Sequence, residues 1–145
     1  MNIERLKRQI KEHEGVRKKA YKDSLGNWTI GVGHLIKLPD EHNLLQVSLA
    51  DVHVDELFLI DLNQAIDDAR KFIDADDVPE EVFEVVVNMA FNLGLTKLNK
   101  FENLKEALLE GDYNKAADEM IDSEWYHQVG NRSKRLVDMM RSAAQ

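Results

Sequence analysis

Between residues 51 and 75 the apolar side chains Val54, Leu57, Phe58, Leu62, Ala65, Ile66, Ala69, Phe72 and Ile73 keep a 3.6-residue period over nearly six turns. A helix of that length is a large piece of a 145-residue chain, and what flanks it sets the fold class. Upstream, Ile3, Leu6 and Ile10 give a helical period over 3–14, and Gly15 supplies a left-handed stop. A glycine-rich hairpin follows over about 20–36, and Pro39 marks an irregular connection. Downstream, Pro79 and Gly94 bracket a helix of about 80–93 that is apolar on nearly every side, which predicts the central buried helix. Shorter helices are expected at about 101–110, 113–122, 124–129 and 132–142, separated by Gly111, Ser123 and Gly130. The expectation is a mostly helical α+β protein. A small N-terminal hairpin lobe, about 1–60, is joined by the long helix to a helical lobe, about 75–145, with an active-site cleft between them. A chain of this length buries about 68 to 70 per cent of its unfolded surface as one domain, and no second domain is needed.

The net charge of −8 is unevenly placed: residues 1–47 carry +3, residues 48–84 carry −10 and residues 85–145 carry −1. That distribution argues against nucleic-acid binding through a general basic surface. The acidic run from Asp67-Asp68 through Asp74, Asp76, Asp77, Glu80, Glu81 and Glu84 reads as a solvated face. The chain has no cysteine, which excludes a disulfide framework, a thiolate nucleophile and a zinc-thiolate site. Its five histidines, 13, 34, 42, 53 and 127, show no metal spacing, so neither a metal nor another cofactor is expected. The opening Met-Asn-Ile-Glu-Arg-Leu-Lys-Arg lacks an apolar signal core, and no later run approaches a membrane span, so membrane insertion is not expected.

Two carboxylates stand in contrasting surroundings. Glu14 closes the first helix, where the negative end of the dipole favours the proton-bearing form a general acid needs. Asp23 lies among Lys18, Lys19 and Lys22 and beside a Ser-Leu-Gly-Asn turn, surroundings that favour the ionised form a base needs. Glycosidic cleavage requires such a pair, one group to protonate the leaving oxygen and one to serve the anomeric carbon or its water. Thr29, six residues on, has two readings: a hydroxyl that holds the nucleophilic water, or a β-branched strand residue. One acid also interrupts the long apolar stripe, since Asp61 sits between Leu57 and Ala65 and needs a compensating partner.

The string as a whole resembles the phage-type lysozymes (endolysins), through Glu14-Gly15, Asp23 and Thr29-Ile30-Gly31-Val32-Gly33-His34. Later landmarks follow in order: Phe58 and Asp61, then Asn88-Met89-Ala90-Phe91-Asn92-Leu93-Gly94, then Trp125-Tyr126-His127-Gln128 and Asn131-Arg132-Ser133-Lys134-Arg135. Nearly the whole chain is covered. Asn92 stands where the family pattern has Gln, and the loop at 36–48 is short and differently composed.

The resemblance implies a muramidase that hydrolyses the β-1,4 bond between N-acetylmuramic acid and N-acetylglucosamine in peptidoglycan, with inversion. Glu14 would be the acid, Asp23 the base and Thr29 the holder of water. It implies Leu35, Phe91 and Asn92 as substrate contacts and a structural His34–Asp61 pair. Arg132 either supports Glu14 or joins Lys134 and Arg135 in a basic patch, and Phe91 reads equally as core. Trp125 and Tyr126 read as packing residues. The expected protein is a monomer whose partner is peptidoglycan, held in the host cytoplasm until a separate membrane-permeabilising protein releases it, or delivered from outside. The alternatives are a catalytically inactive wall-binding module and a lytic transglycosylase.

Overall fold

The computed structural model describes residues 1–145, which form two compact units, Ile3–Gln64 and Ala65–Gln145 with Met1–Asn2. The boundary falls inside the long helix. The Met1 ammonium lies 3.1 Å from the Glu80 carboxylate, which accounts for the first two residues grouping with the second unit.

In the first unit, helix α1 (Ile3–Glu14) buries Leu6 and Ile10. Three antiparallel strands follow in the order β1 (Arg17–Lys22), β2 (Trp28–Gly31) and β3 (His34–Leu35). The sheet starts earlier than the expected hairpin and carries a third strand. Strand β1 escapes the sequence pattern because Arg17, Lys18, Lys19 and Lys22 replace an apolar alternation, as suits an edge strand. Residues 48 and 49 cover part of that edge: Lys19 bridges Ser48, and Leu49 N–H donates to Lys18 O at 2.9 Å. After a single 3₁₀ turn at His42–Leu45, helix α2 (Asp51–Phe72) begins, and its Asp51 pairs with Lys18 at 2.8 Å. Lys11 ties α1 to α2, 3.6 Å from Asp55 and 5.4 Å from the Phe58 ring centroid.

Helix α2 ends at Phe72, not at 75. The Asp74 carboxylate accepts the Asp76 N–H at 2.9 Å, a local bond that competes with the helix and starts a 3₁₀ turn at Ala75–Asp77. In the second unit, α3 (Glu80–Leu93) is buried continuously from Val82 to Ala90, as its all-round apolar pattern requires. Its two buried polar residues are Glu84 and Asn88, and Asn88 Nδ2 donates to Glu84 O at 3.2 Å. A short turn, α4 (Leu95–Leu98), was not legible beforehand. Then come α5 (Glu102–Glu110), α6 (Tyr113–Ile121), α7 (Glu124–Val129) and α8 (Asn131–Ser142), within a residue of the expected bounds. Each boundary has a local cause. Gly111 adopts φ 71° to close α5, Asp112 Oδ1 accepts Lys115 N–H, and Ser123 Oγ accepts Tyr126 N–H. Helix α6 packs on α5, α7 and α8, and α8 packs on α3. The architecture is α+β and mostly helical, with a small antiparallel sheet near the N-terminus.

Adjacent leucines on α5 separate core from surface, since Leu108 is fully buried and Leu109 is 58% exposed. Leu108→Ala is expected to cost about 2–5 kcal/mol and Leu109→Ala at most about 0.5 kcal/mol. Urea unfolding of both variants checks this, and equal losses would contradict the assignment of the α5 inner face.

Candidate active site

The register of the small sheet sorts its side chains. Tyr21 pairs with Thr29 and Thr29 pairs with Leu35, so these three form a row across one face. Ile30 pairs with His34 on the opposite face, and both are buried. Strand β1 is irregular between Arg17 and Tyr21, a distortion that re-aims side chains next to it.

Asp23 closes the β1–β2 turn with its own side chain. Its Oδ1 accepts the N–H groups of Leu25 at 2.9 Å and Asn27 at 2.8 Å, leaving Oδ2 without a protein partner. The carboxylate is thereby oriented before any ligand arrives. Thr29 is 3% exposed and its hydroxyl donates to Asn27 O at 3.0 Å. With that proton committed, the oxygen can act toward a water only as an acceptor.

Glu14 ends α1, and Gly15 follows at φ 73°, its N–H bonded to Lys11 O at 2.8 Å. The half-buried Glu14 side chain lies directly on Gly33. A methyl group on Gly33 would stand 2.7 Å from Glu14 Cδ and 2.9 Å from Cγ, so only glycine leaves the carboxyl its place. Gly33 also has φ 64°, which side-chain-bearing residues rarely adopt.

His34 underpins this arrangement from the buried face. Its Nδ1 lies 2.7 Å from Asp61 Oδ2 and its Nε2 lies 3.0 Å from Glu41 Oε1. Carboxylates only accept, so both ring nitrogens donate and the ring is an imidazolium. Burial on its own favours the neutral ring, but the hydrogen bonds and charges of Asp61 and Glu41 outweigh it and raise the His34 pKa above the usual histidine value. Glu41 is drawn the other way. Partial burial opposes its charge, yet the Lys37 N–H at 2.8 Å and the His34 ring hold its pKa below the usual glutamate value. Glu41 was not singled out from the sequence, because nothing in a short irregular loop signals which acid turns inward.

Tyr21 is the other residue the sequence reading missed, although strand alternation from Asp23 places it on the same side. Its phenol pKa is raised above the usual tyrosine value, first by burial and then by the negative charge of Glu14, with Arg17 opposing and Asp23 adding. The Arg17 guanidinium lies 4.7 Å from the ring centroid. On the other face the Lys22 ammonium lies 5.3 Å from the ring centroid of Trp28, which is 39% exposed.

Leu35 is exposed, at 52%. Glu14, Asp23, Thr29, His34, Leu35 and Asp61 thus all belong to the first unit. Phe91, Asn92 and Arg132 belong to the second, and all three are half-buried. Asn92 Oδ1 accepts the Trp125 indole N–H at 2.9 Å, which gives Asn92 a structural duty besides the expected contact. Trp125 is 4% exposed and meets Phe101 edge-on, a packing residue.

Residues 11–144 match the family model described as Phage lysozyme. The chain is 28% identical to the probable T4-type lysozyme 1 of Dictyostelium discoideum, over 97% of this chain and 95% of that protein. It is 31% identical to the endolysin of Salmonella phage P22, over 78% of this chain and 76% of that protein. It is also 29% identical to the pre-baseplate central spike protein Gp5 of Enterobacteria phage T4, over 88% of this chain but only 26% of that protein. A pair of carboxylates held on backbone donors and on a glycine, with family similarity along nearly the whole length, places the chain in the phage lysozyme family, a class of glycosidase-type enzymes. No helix is long and apolar enough to cross a membrane.

The two titrations of the His34 cluster run in opposite senses. The raised His34 adds stability that is complete below about pH 6.5 and is lost as pH rises through its elevated value. The depressed Glu41 adds stability that is complete above about pH 4.3 and is lost as pH falls through its lowered value. His34→Gln is therefore expected to cost about 3–5 kcal/mol between those limits, the usual loss when one partner of a buried pair is removed, and less on either side. Thermal melts of parent and variant from pH 3 to 9 measure the gap; a gap independent of pH would show that the charges contribute nothing.

Proposed function

We propose that this protein is a muramidase that hydrolyses the β-1,4 bond between N-acetylmuramic acid and N-acetylglucosamine in bacterial peptidoglycan, and so lyses cells. The observation that carries the reading is the pairing of a carboxylate fixed on two backbone N–H groups, Asp23, with one seated on a glycine, Glu14, in the same compact unit.

Glu14 protonates the leaving glycosidic oxygen. Asp23 uses its unpartnered Oδ2 to take a proton from the attacking water, and the Thr29 oxygen accepts that water's second hydrogen, since its own proton is given to Asn27. Attack from the face opposite the leaving group inverts the anomeric centre, the outcome expected of a base that serves a water. Leu35, at the exposed end of the Tyr21–Thr29–Leu35 row, contacts the glycan, and Phe91 and Asn92 are further contacts. His34 and Asp61 hold the sheet. The protein acts as a monomer, from the host cytoplasm once a separate permeabilising protein has admitted it to the wall. No cofactor takes part in these steps.

Glu14→Gln is expected to lower the rate of reducing-end release from purified peptidoglycan by about 10²- to 10⁴-fold while leaving wall binding intact. A folded parent that binds the wall without releasing reducing ends would sink the muramidase reading, and anhydro-sugar products would make the enzyme a transglycosylase. Gly33→Ala displaces the Glu14 carboxyl and is expected to lose at least about tenfold in kcat. Steady-state rates on the same substrate check it, and unchanged turnover would separate Gly33 from catalysis.

A further inference from the structure

The protein has two tryptophans, and they are placed in opposite ways. Trp125 is buried and gives its indole N–H to Asn92. Trp28 is 39% exposed, and its indole N–H meets no acceptor in the protein. A ring held at the surface with a free N–H is apolar across its faces and polar at one edge, the combination that partly wet interfaces use. Lys22 is its cross-strand partner, with the ammonium 5.3 Å from the ring centroid. That ammonium forms no ion pair, whereas Lys18 on the same strand is held by Asp51. Leu25, in the turn between the two strands, is 64% exposed. The turn end of β1 and β2 thus presents an apolar ring, an N–H donor, an unpaired cation and an exposed leucine. Because Trp28 immediately precedes Thr29 on β2, its side chain lies on the face opposite the Tyr21–Thr29–Leu35 row.

We propose that Trp28 and Lys22 form a second contact for peptidoglycan, separate from the carboxylate pair, on which a neighbouring wall strand rests. The ligand it fits is a glycan of N-acetylated amino sugars that also bears carboxylates, and naming peptidoglycan rests on the functional reading above. The C–H face of one sugar ring packs on the indole, the acetamido oxygen accepts the indole N–H, and a carboxylate meets the Lys22 ammonium. A cation over an exposed ring is weakly held, so the ammonium moves aside for the sugar at small cost and stays within reach of its carboxylate. Residues 1–47 carry net +3, so an anionic polymer meets favourable charge here in a chain that is acidic as a whole. An anionic bilayer fits less well, because it would have to take the Asp23 carboxylate of the same turn into its headgroup layer. Two weak contacts on one polymer reinforce each other, since engaging one raises the effective concentration of the other. The second contact therefore acts on retention at the wall and not on the chemical step.

Binding is read without turnover in the Glu14→Gln background, by sedimentation with purified peptidoglycan and with folding verified by thermal melting. Trp28→Ala is expected to raise the apparent Kd about 5- to 30-fold, and Lys22→Glu, at an exposed position that leaves the fold undisturbed, about 3- to 10-fold. In the protein with Glu14 intact, Trp28→Ala should raise KM on the same substrate, with kcat within about twofold of the parent. Folded variants that sediment like the parent would overturn the proposal. So would a lowered kcat with unchanged KM, which would move Trp28 into the catalytic set.

The contact itself is read from the indole N–H signals in ¹⁵N NMR, with Trp28 assigned from the Trp28→Phe spectrum. Tetraacetylchitotetraose, titrated into the Glu14→Gln protein, is the soluble probe. The Trp28 signal should move and saturate as the acetamido oxygen takes its N–H. An unmoved signal would overturn the contact, as would a signal that responds to phosphatidylglycerol vesicles instead, which would make the cluster a lipid contact. A parent that binds the wall through Trp28 but releases no reducing ends would leave the second contact standing and overturn the muramidase reading. Normal turnover with no response at Trp28 would overturn the second contact alone.

Discussion

Both nitrogens of one buried imidazolium are occupied by carboxylates from different segments, and the first unit depends on that clamp. His34 joins strand β3 to Asp61 on α2 and to Glu41 in the short loop. In a sheet with a two-residue side-chain period, fixing His34 on the inner face fixes its cross-strand partner Ile30 there as well, and so turns Thr29 and Leu35 to the other face. A slip of one residue would turn Thr29 and Leu35 to the inner face and His34 away from its two acids. An aspartate in the middle of the apolar stripe of α2 is thus a register device, tolerated in the half-buried position because it has a charged partner.

Preorganisation in the proposed site comes from backbone more than from side-chain networks. Asp23 Oδ1 is held by two amides of its own turn, and the Glu14 carboxyl rests on a residue with no side chain. Groups fixed in this way need no reordering when the reaction begins, which is the general source of catalytic advantage in polar sites. The cations of β1 complete the picture. Arg17 and Lys22 lie over Tyr21 and Trp28, and Lys18 anchors the strand to the start of α2. They keep the exposed strand from pairing with another chain while giving this end of the molecule its positive charge.

The second unit works differently. Its central helix is buried from Val82 to Ala90, Glu84 and Asn88 included, and its short helices are separated by residues that stop or start them: Gly111, Asp112 and Ser123. Hydrophobic burial holds this unit together. Trp125 spans both functions of such a core, buried against Phe101 while its indole N–H finds Asn92.

Helix positions were legible because capping and periodicity are local: Gly15, Pro79, Gly94, Gly111 and Gly130 mark boundaries that the structure keeps within a residue or so. The end of α2 falls short of its apolar period for a local reason too, the Asp74 side chain competing for backbone N–H groups. Strand β1 was obscured because charged side chains with long apolar stems conceal a strand period. The candidate residues Glu14, Asp23, Thr29 and His34 could be named from spacing and resemblance. Tyr21 and Glu41 could not, since what distinguishes them is the company they keep across the sheet and across a loop. The sequence by itself determined the helices, the glycine stops and the chemical kinds of the candidate groups, all properties of neighbours along the chain. Only the tertiary structure decided which oxygen of Asp23 is tethered, that Glu14 sits on Gly33 and that His34 is shared by two acids. Those are distances between residues far apart in sequence, and only folding sets them.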